Sequence, residues 1–194
     1  MSQEIEIEFK NLLTEAEFLK IKAAFQIEDN EFILQENHYF DTPQFSLKEL
    51  EAALRIRKKL EHFVMTLKEP AKVGLLETHQ MITEEVASEM IKTGKLVKGQ
   101  IVERLFHLGV DANKMTYFGT LATIRAEKKY RNGLLVLDHS NYLTVEDYEL
   151  EYEVQNEVEG KMDFQTLLNE LDIPIRHTKN KVRRFYEQKY EEMG

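Results

Sequence analysis

The sequence contains no cysteine. A disulfide framework and a thiolate metal site are both excluded, so any metal must be held by other donors. It also lacks an apolar run of the roughly 18 residues that a membrane-crossing helix needs. The first residues show no secretory-signal pattern, so a cytoplasmic location without membrane association is expected. Excess positive charge is missing too. Lys and Arg number 26 against 35 Asp and Glu, for a formal net charge of −9 at pH 7. That balance argues against a nucleic-acid partner, although it leaves room for a locally basic pocket. No linker, repeat or low-complexity segment interrupts the chain. A single domain over residues 1–194 is expected, long enough to bury a substantial core.

What the sequence does contain is charge placed at period two. Glu4, Glu6, Glu8 and Lys10 alternate with Ile5, Ile7 and Phe9. Successive strand side chains point to opposite faces, so the four charges share one face. Arg55, Arg57 and Lys59 likewise oppose Leu54, Ile56 and Leu60 over 53–60, and Thr66 and Lys68 oppose Phe63, Met65 and Leu67 over 62–69. Over 123–130, Arg125, Glu127 and Lys129 oppose Ile124, Ala126 and Tyr130. Over 148–154, Glu149, Glu151 and Glu153 oppose Tyr148, Leu150, Tyr152 and Val154. Further strands are predicted over 32–41, over 75–82 with Glu77 and His79 on one face, and over 134–138 ending at Asp138. Asn132-Gly133 marks a two-residue hairpin, since both residue types tolerate positive φ.

Between these strands the spacing predicts helices over 15–25 (capped by Thr14), 84–92 (capped by Thr83), 99–108, 161–172 and roughly 180–192. The remaining question is where the charged strand faces point. A one-sided sheet with a solvated charged face is common. Solvated faces are usually mixed, however, whereas here one strand carries only acids and another only bases. Like charges in a row repel unless opposite charge, a metal or a polyanion lies among them. The pattern therefore predicts an α+β fold: an eight-stranded antiparallel β-barrel with a charged lumen and with helices packed on its apolar exterior. Such a lumen is unfavourable unless its charges pair or bind ligand. Convergent Arg and Lys suit phosphate oxygens. Carboxylates without Cys or clustered His suit a hard ion, Mg²⁺ or Mn²⁺. The two together suit metal-assisted phosphoryl transfer.

The ordered motifs carry a resemblance. Glu6-Ile7-Glu8-Phe9-Lys10 is similar to the ExExK signature of the CYTH domain, the triphosphate tunnel metalloenzymes. It is followed in order by His38-Tyr39-Phe40-Asp41-Thr42-Pro43, Ala53-Leu54-Arg55-Ile56-Arg57, Thr66-Leu67-Lys68, Arg125-Ala126-Glu127, Asp138, Glu149-Leu150-Glu151 and Asn180-Lys181-Val182-Arg183-Arg184-Phe185. The resemblance implies a tunnel that acts on a small-molecule triphosphate with a divalent cation. It implies Glu6, Glu8, Glu149, Glu151 and Glu153 as metal ligands, with Asp138 beside them either as a ligand or orienting basic side chains. It implies Lys10, Arg55, Arg57, Lys68, Arg125, Lys181 and Arg184 as a phosphate cradle. Lys10, Glu127 and Lys181 are the candidate catalytic groups.

The sequence departs from the family pattern in three places. Glu77 and His79 stand where a denser Arg/Glu alternation is common. Val182 replaces a Tyr, which leaves the register of Lys181 against Arg183 or Arg184 open. Three glutamates at 149, 151 and 153 leave open which pair matches the second ExE. Asp41 is read as holding the turn before Pro43, and His38 and His62 as structural or surface residues. Triphosphate hydrolysis is the expected activity. The alternatives are an adenylyl cyclase making cyclic AMP from ATP, and a non-catalytic triphosphate or nucleotide sensor. The sequence is silent on oligomeric state.

Overall fold

The computed structural model describes residues 2–193. In chain order the elements are β1 (Ser2–Leu13), α1 (Glu15–Ala24), β2 (Ile33–Asp41), α2 (Ser46–Glu49), β3 (Ala53–Lys59), β4 (His62–Pro70), β5 (Leu75–Ile82), α3 (Glu84–Thr93), α4 (Gln100–His107), β6 (Thr116–Tyr130), β7 (Gly133–Tyr142), β8 (Val145–Val154), α5 (Glu157–Glu170) and α6 (Lys181–Met193). The strands close into an antiparallel barrel in the order β1-β5-β4-β3-β2-β6-β7-β8. The chain divides into two compact units, one of Gln35–Leu121 with the first residues up to Ile5, the other of Glu6–Leu34 with Ala122 onward.

In the first unit, β2 to β5 turn their apolar sides outward. Phe40, Leu54, Ile56, Met65 and Leu67 form one buried cluster with Ala87 and Met90 of α3 and Ile101 and Leu105 of α4. Each fully buried Leu, Ile, Phe or Met side chain among them contributes about 1.5–3 kcal/mol relative to exposure. Helix α3 starts where Thr83 accepts the Val86 amide. Asp41 does hold the turn: its carboxylate accepts the amides of Thr42, Leu47 and Lys48. Those bonds also start α2, a single turn that the apolar spacing does not announce.

In the second unit, Leu135, Leu137, Leu150 and Tyr152 pack against Phe18 and Ile21 of α1 and Phe164, Leu167 and Leu168 of α5. Thr14 and Glu17 form a reciprocal capping box at the start of α1. Helix α5 begins four residues before the expected 161, because Asn156 caps it through the amides of Val158 and Glu159. Gly160 lets α5 approach the sheet, since a Cβ there would lie 2.5 Å from Val154 Cγ2.

The predicted hairpin is present but shifted by one residue. Its two-residue loop is Arg131-Asn132, closed by the Tyr130–Gly133 pair. Arg131 takes the positive φ, 49°, and its guanidinium pairs with Asp163 of α5. Gly133 is required for a different reason: a Cβ would meet the Tyr152 ring at 2.5 Å and Glu153 O at 2.6 Å.

Candidate active site

The second unit gathers the denser set of charges. Antiparallel pairing places Lys10 opposite Glu151 and Glu8 opposite Glu153 across β1 and β8. It places Arg125 opposite Asp138 across β6 and β7, and Asp138 opposite Glu149 across β7 and β8. Register alone therefore brings acids and bases onto one face of four strands, with two base–acid pairs (Lys10–Glu151, Arg125–Asp138) beside two acid–acid pairs (Glu8–Glu153, Asp138–Glu149). Lys10 pairs with Glu8 two residues away on its own strand.

Arg125 is the hub of the buried set. Its Nε donates to Asp138 Oδ1 at 2.7 Å, and its Nη2 donates to Asp138 Oδ2 at 2.6 Å and to Glu151 Oε2 at 2.7 Å. Glu153 lies at its margin, 4.0 Å from Nη1 and about one-third exposed. Glu127 occupies the same face of β6, two residues toward the turn, and is exposed.

Helix α6 brings two more cations. The segment before it is pinned to β1 and α1: Arg176 forks onto Glu17 at 2.8 and 2.9 Å, its amide donates to Asn11 Oδ1, and Thr178 Oγ1 accepts the Leu12 amide. So anchored, α6 turns Lys181 and Arg184 inward. Arg183 points outward toward Glu187, which resolves the register left open by Val182. Lys181 Nζ pairs with Asp138 Oδ2 and lies 3.2 Å from Glu149 Oε1 and 3.5 Å from Glu151 Oε1. Arg184 Nη1 donates to Glu149 Oε2 at 2.7 Å, and its Nε donates to Asp147 Oδ2 at 3.1 Å. Asp147 in turn accepts the Tyr142 hydroxyl at 2.7 Å.

This packing sorts the carboxylates. Burial alone would raise all three acids. Arg125 and Lys181 outweigh burial at Asp138 and hold it below the ordinary aspartate range. Lys181, Arg125 and Lys10 hold Glu151 well below the glutamate range. Glu149 goes the other way: burial and the neighbouring Glu151 raise it, and Lys181 and Arg184 offset them only in part. Lys10 is raised, because Glu8, Glu151 and Glu149 outweigh its burial.

The fit of this set to a hard divalent ion is tested by the placement of its oxygens. Asp138, Glu149 and Glu151 each bring a carboxylate oxygen within 4.8 Å of the others, and all three are buried. Glu149 Oε1 is buried without a hydrogen bond among the described residues. An oxygen-only donor set with an unsatisfied buried oxygen fits Mg²⁺ or Mn²⁺.

In the first unit, Arg55 stands opposite Thr66 and Tyr39, and Arg57 opposite Asn37 and Val64. Arg57 Nε donates to Asn37 Oδ1 at 3.0 Å. Lys68 pairs with buried Glu77. His79 is fixed between Thr66 Oγ1, 3.0 Å from Nδ1, and Glu4 Oε1, 3.0 Å from Nε2. Asp147, Tyr142 and Asn37 were missed in the sequence. Asp147 lay within reach, because it extends the alternation of 149, 151 and 153 by one step.

Comparison with known proteins follows the same lines. A model of the CYTH domain matches residues 4–186. The chain is 52% identical over 189 residues to YjbK, a candidate triphosphatase of Bacillus subtilis (strain 168), covering 97% of this chain and 98% of that one. Among solved structures, a candidate adenylate cyclase of Bacillus halodurans matches with a TM-score of 0.93 and 40% identity, over 96% of this chain and 100% of that one. HpAC1 of Hippeastrum, described as a candidate adenylyl cyclase with a dominant triphosphatase activity, matches with a TM-score of 0.81 and 25% identity, over 95% and 96%.

Proposed function

The chain belongs to the CYTH domain family, and on that footing we propose that it is a divalent-metal-dependent triphosphatase, hydrolysing inorganic triphosphate or a small organic or nucleoside triphosphate. The observation that carries this reading is the buried interleaving of Arg125, Lys181, Arg184 and Lys10 with Asp138, Glu149 and Glu151. A structural ion-pair network alone gives little stability for its desolvation cost. A site that must hold both a polyanion and a dication needs both signs in one place.

In this reading Asp138, Glu149 and Glu151 hold the ion, with Glu6, Glu8 and Glu153 as further proposed ligands. A bound divalent ion would neutralise phosphate charge and acidify water. Arg125 keeps Asp138 and Glu151 ionised and fixed. Lys10, Lys181 and Arg184, with Arg55, Arg57 and Lys68, are the proposed phosphate cradle; Arg125, expected in the cradle from the sequence, is assigned to the carboxylates instead because Asp138 and Glu151 take up its guanidinium. The cradle cations orient the triphosphate and stabilise charge as water adds to the terminal phosphorus and the anhydride P–O bond breaks. The diphosphate departs with the bonding electron pair. Glu127, on the inner face of β6, is the proposed acceptor of the proton that water loses.

The cyclase reading draws on the description given to the Bacillus halodurans neighbour. Mass spectrometry of the products from ATP separates the two. Where ATP is a substrate, the proposal expects ADP and orthophosphate. Cyclic AMP with pyrophosphate and no orthophosphate would replace it by the cyclase, and tight triphosphate binding without turnover by the sensor.

A further inference from the structure

The oxygens of the carboxylate trio are divided in an orderly way. Asp138 Oδ1, Glu149 Oε2 and Glu151 Oε2 each accept from an arginine, at 2.7 Å in every case. The other oxygen of each acid, Asp138 Oδ2, Glu149 Oε1 and Glu151 Oε1, turns toward a single point, the ammonium of Lys181. Asp138 Oδ2 also receives Arg125 Nη2. The arginines are held by several directional bonds each. Lys181 is held by charge, through a flexible stem, from the first residue of α6. A hard cation would draw on one oxygen from each of the same three acids, and Glu149 Oε1, which faces Lys181, is buried without a hydrogen bond among the described residues.

We infer that Lys181 is an internal cation of the metal seat, exchanging with the divalent ion rather than coexisting with it. The inference rests on the proposed metal dependence and deepens it. An ammonium and a dication sharing three buried carboxylate oxygens would repel strongly at low effective dielectric. Metal entry therefore releases Lys181 from the trio. The released ammonium is then available to a phosphate oxygen, so that one exchange both loads the metal and arms the cradle. The arginines stay, because Asp138 Oδ1, Glu149 Oε2 and Glu151 Oε2 hold them outside the exchange, and only the bond from Arg125 Nη2 to Asp138 Oδ2 shares an oxygen with it. Before metal arrives, Lys181 keeps the acidic seat neutralised and α6 docked. The cost is a weakened metal affinity.

Two measurements test this on the full-length chain without substrate. Lysine acylation footprinting by mass spectrometry is run in chelator and in saturating Mn²⁺, with exposed Lys161 as the reference. Labelling of Lys181 is expected to rise by about fivefold or more with Mn²⁺, within the range of ordinary site coupling. Mn²⁺ binding is followed by electron paramagnetic resonance. Lys181→Met is expected to bind Mn²⁺ about tenfold or more tightly than the wild type. Arg184→Gln, which also removes a nearby positive charge but spares the three convergent oxygens, is expected to tighten binding less. Wild-type protein that binds Mn²⁺ while Lys181 stays as protected as in chelator overturns the exchange and leaves the metal reading standing. Equal tightening in both variants reduces Lys181 to a general charge effect and also overturns it. Absence of Mn²⁺ binding in every form removes the metal reading itself and the exchange with it.

Discussion

At the scale of the residue, the decisive fact is that Asp138 is fully buried between Arg125 and Lys181. Removing one partner of a buried ion pair leaves the other uncompensated, typically at about 3–5 kcal/mol. Asp138→Asn is therefore expected to lower stability by about 3 kcal/mol in urea unfolding at pH 7. Asp138 is depressed in the folded state, so its contribution is full above the ordinary aspartate range and fades as pH falls through the depressed value. The gap between variant and wild type should narrow toward pH 3, and a gap independent of pH would contradict the charge assignment. Glu8→Gln makes a different point. Glu8 contacts Lys10 near the edge of the network, so the melting curve should be unchanged while metal-dependent orthophosphate release falls to background. Arg57→Ala should raise KM for triphosphate by about tenfold or more, the worth of a charge-assisted bond, without lowering Tm. Loss of the fold would mark Arg57 as structural.

At this scale the sequence was informative about charge and weak about neutral partners. Alternation in single strands pointed to Lys10, Arg125, Glu149 and Glu151. It could not point to Asn37 or Tyr142, because an amide or a phenol on an inner face leaves no charge pattern. Nor could it set the α6 register, since Lys181, Arg183 and Arg184 are equally basic. That choice is made by Phe185 and Tyr186, which are buried and fix the rotation of the helix.

At the scale of the element, all eight strands and the five longer helices were legible from period and capping. The shifts at their ends have local causes. Strand β6 begins at Thr116, seven residues before the expected 123, and the lack of clean alternation over Thr116 to Ala122 leaves that extension without a signal in the sequence. Helix α2 is too short to have a period. The hairpin was recognised by its Asn-Gly pair, yet Gly133 serves close packing while Arg131 takes the left-handed turn. Gly160 gives the element-scale prediction, because two effects oppose. Alanine is about 1 kcal/mol better than glycine inside a helix. The new methyl would meet both γ-carbons of Val154, at 2.5 and 2.9 Å, on a side chain stiff at χ1. Overpacking costs about 1–3 kcal/mol, so Gly160→Ala should destabilise, as measured by thermal unfolding. A stabilised variant would mean that α5 can lift from the sheet at little cost.

At the scale of the whole molecule, the apolar and charged faces exchange their usual places: helices cover the apolar outside of the strands in each unit, and charge lies within. Composition alone, at −9, hid the basic residues among a larger number of acids. Period two uncovered them by assigning each charge to a face. Among the described residues no helix is long and apolar enough to cross a membrane. The claim that most needs testing is that this charged interior exists to cleave triphosphates with a metal. The direct measurement is orthophosphate release from inorganic triphosphate, thiamine triphosphate, ATP and pyrophosphate, each with Mg²⁺, Mn²⁺ or a chelator. The account predicts rapid release from at least one triphosphate, dependent on the metal and abolished by the chelator. Release that is indifferent to the chelator, or no release from any of the four, would contradict it.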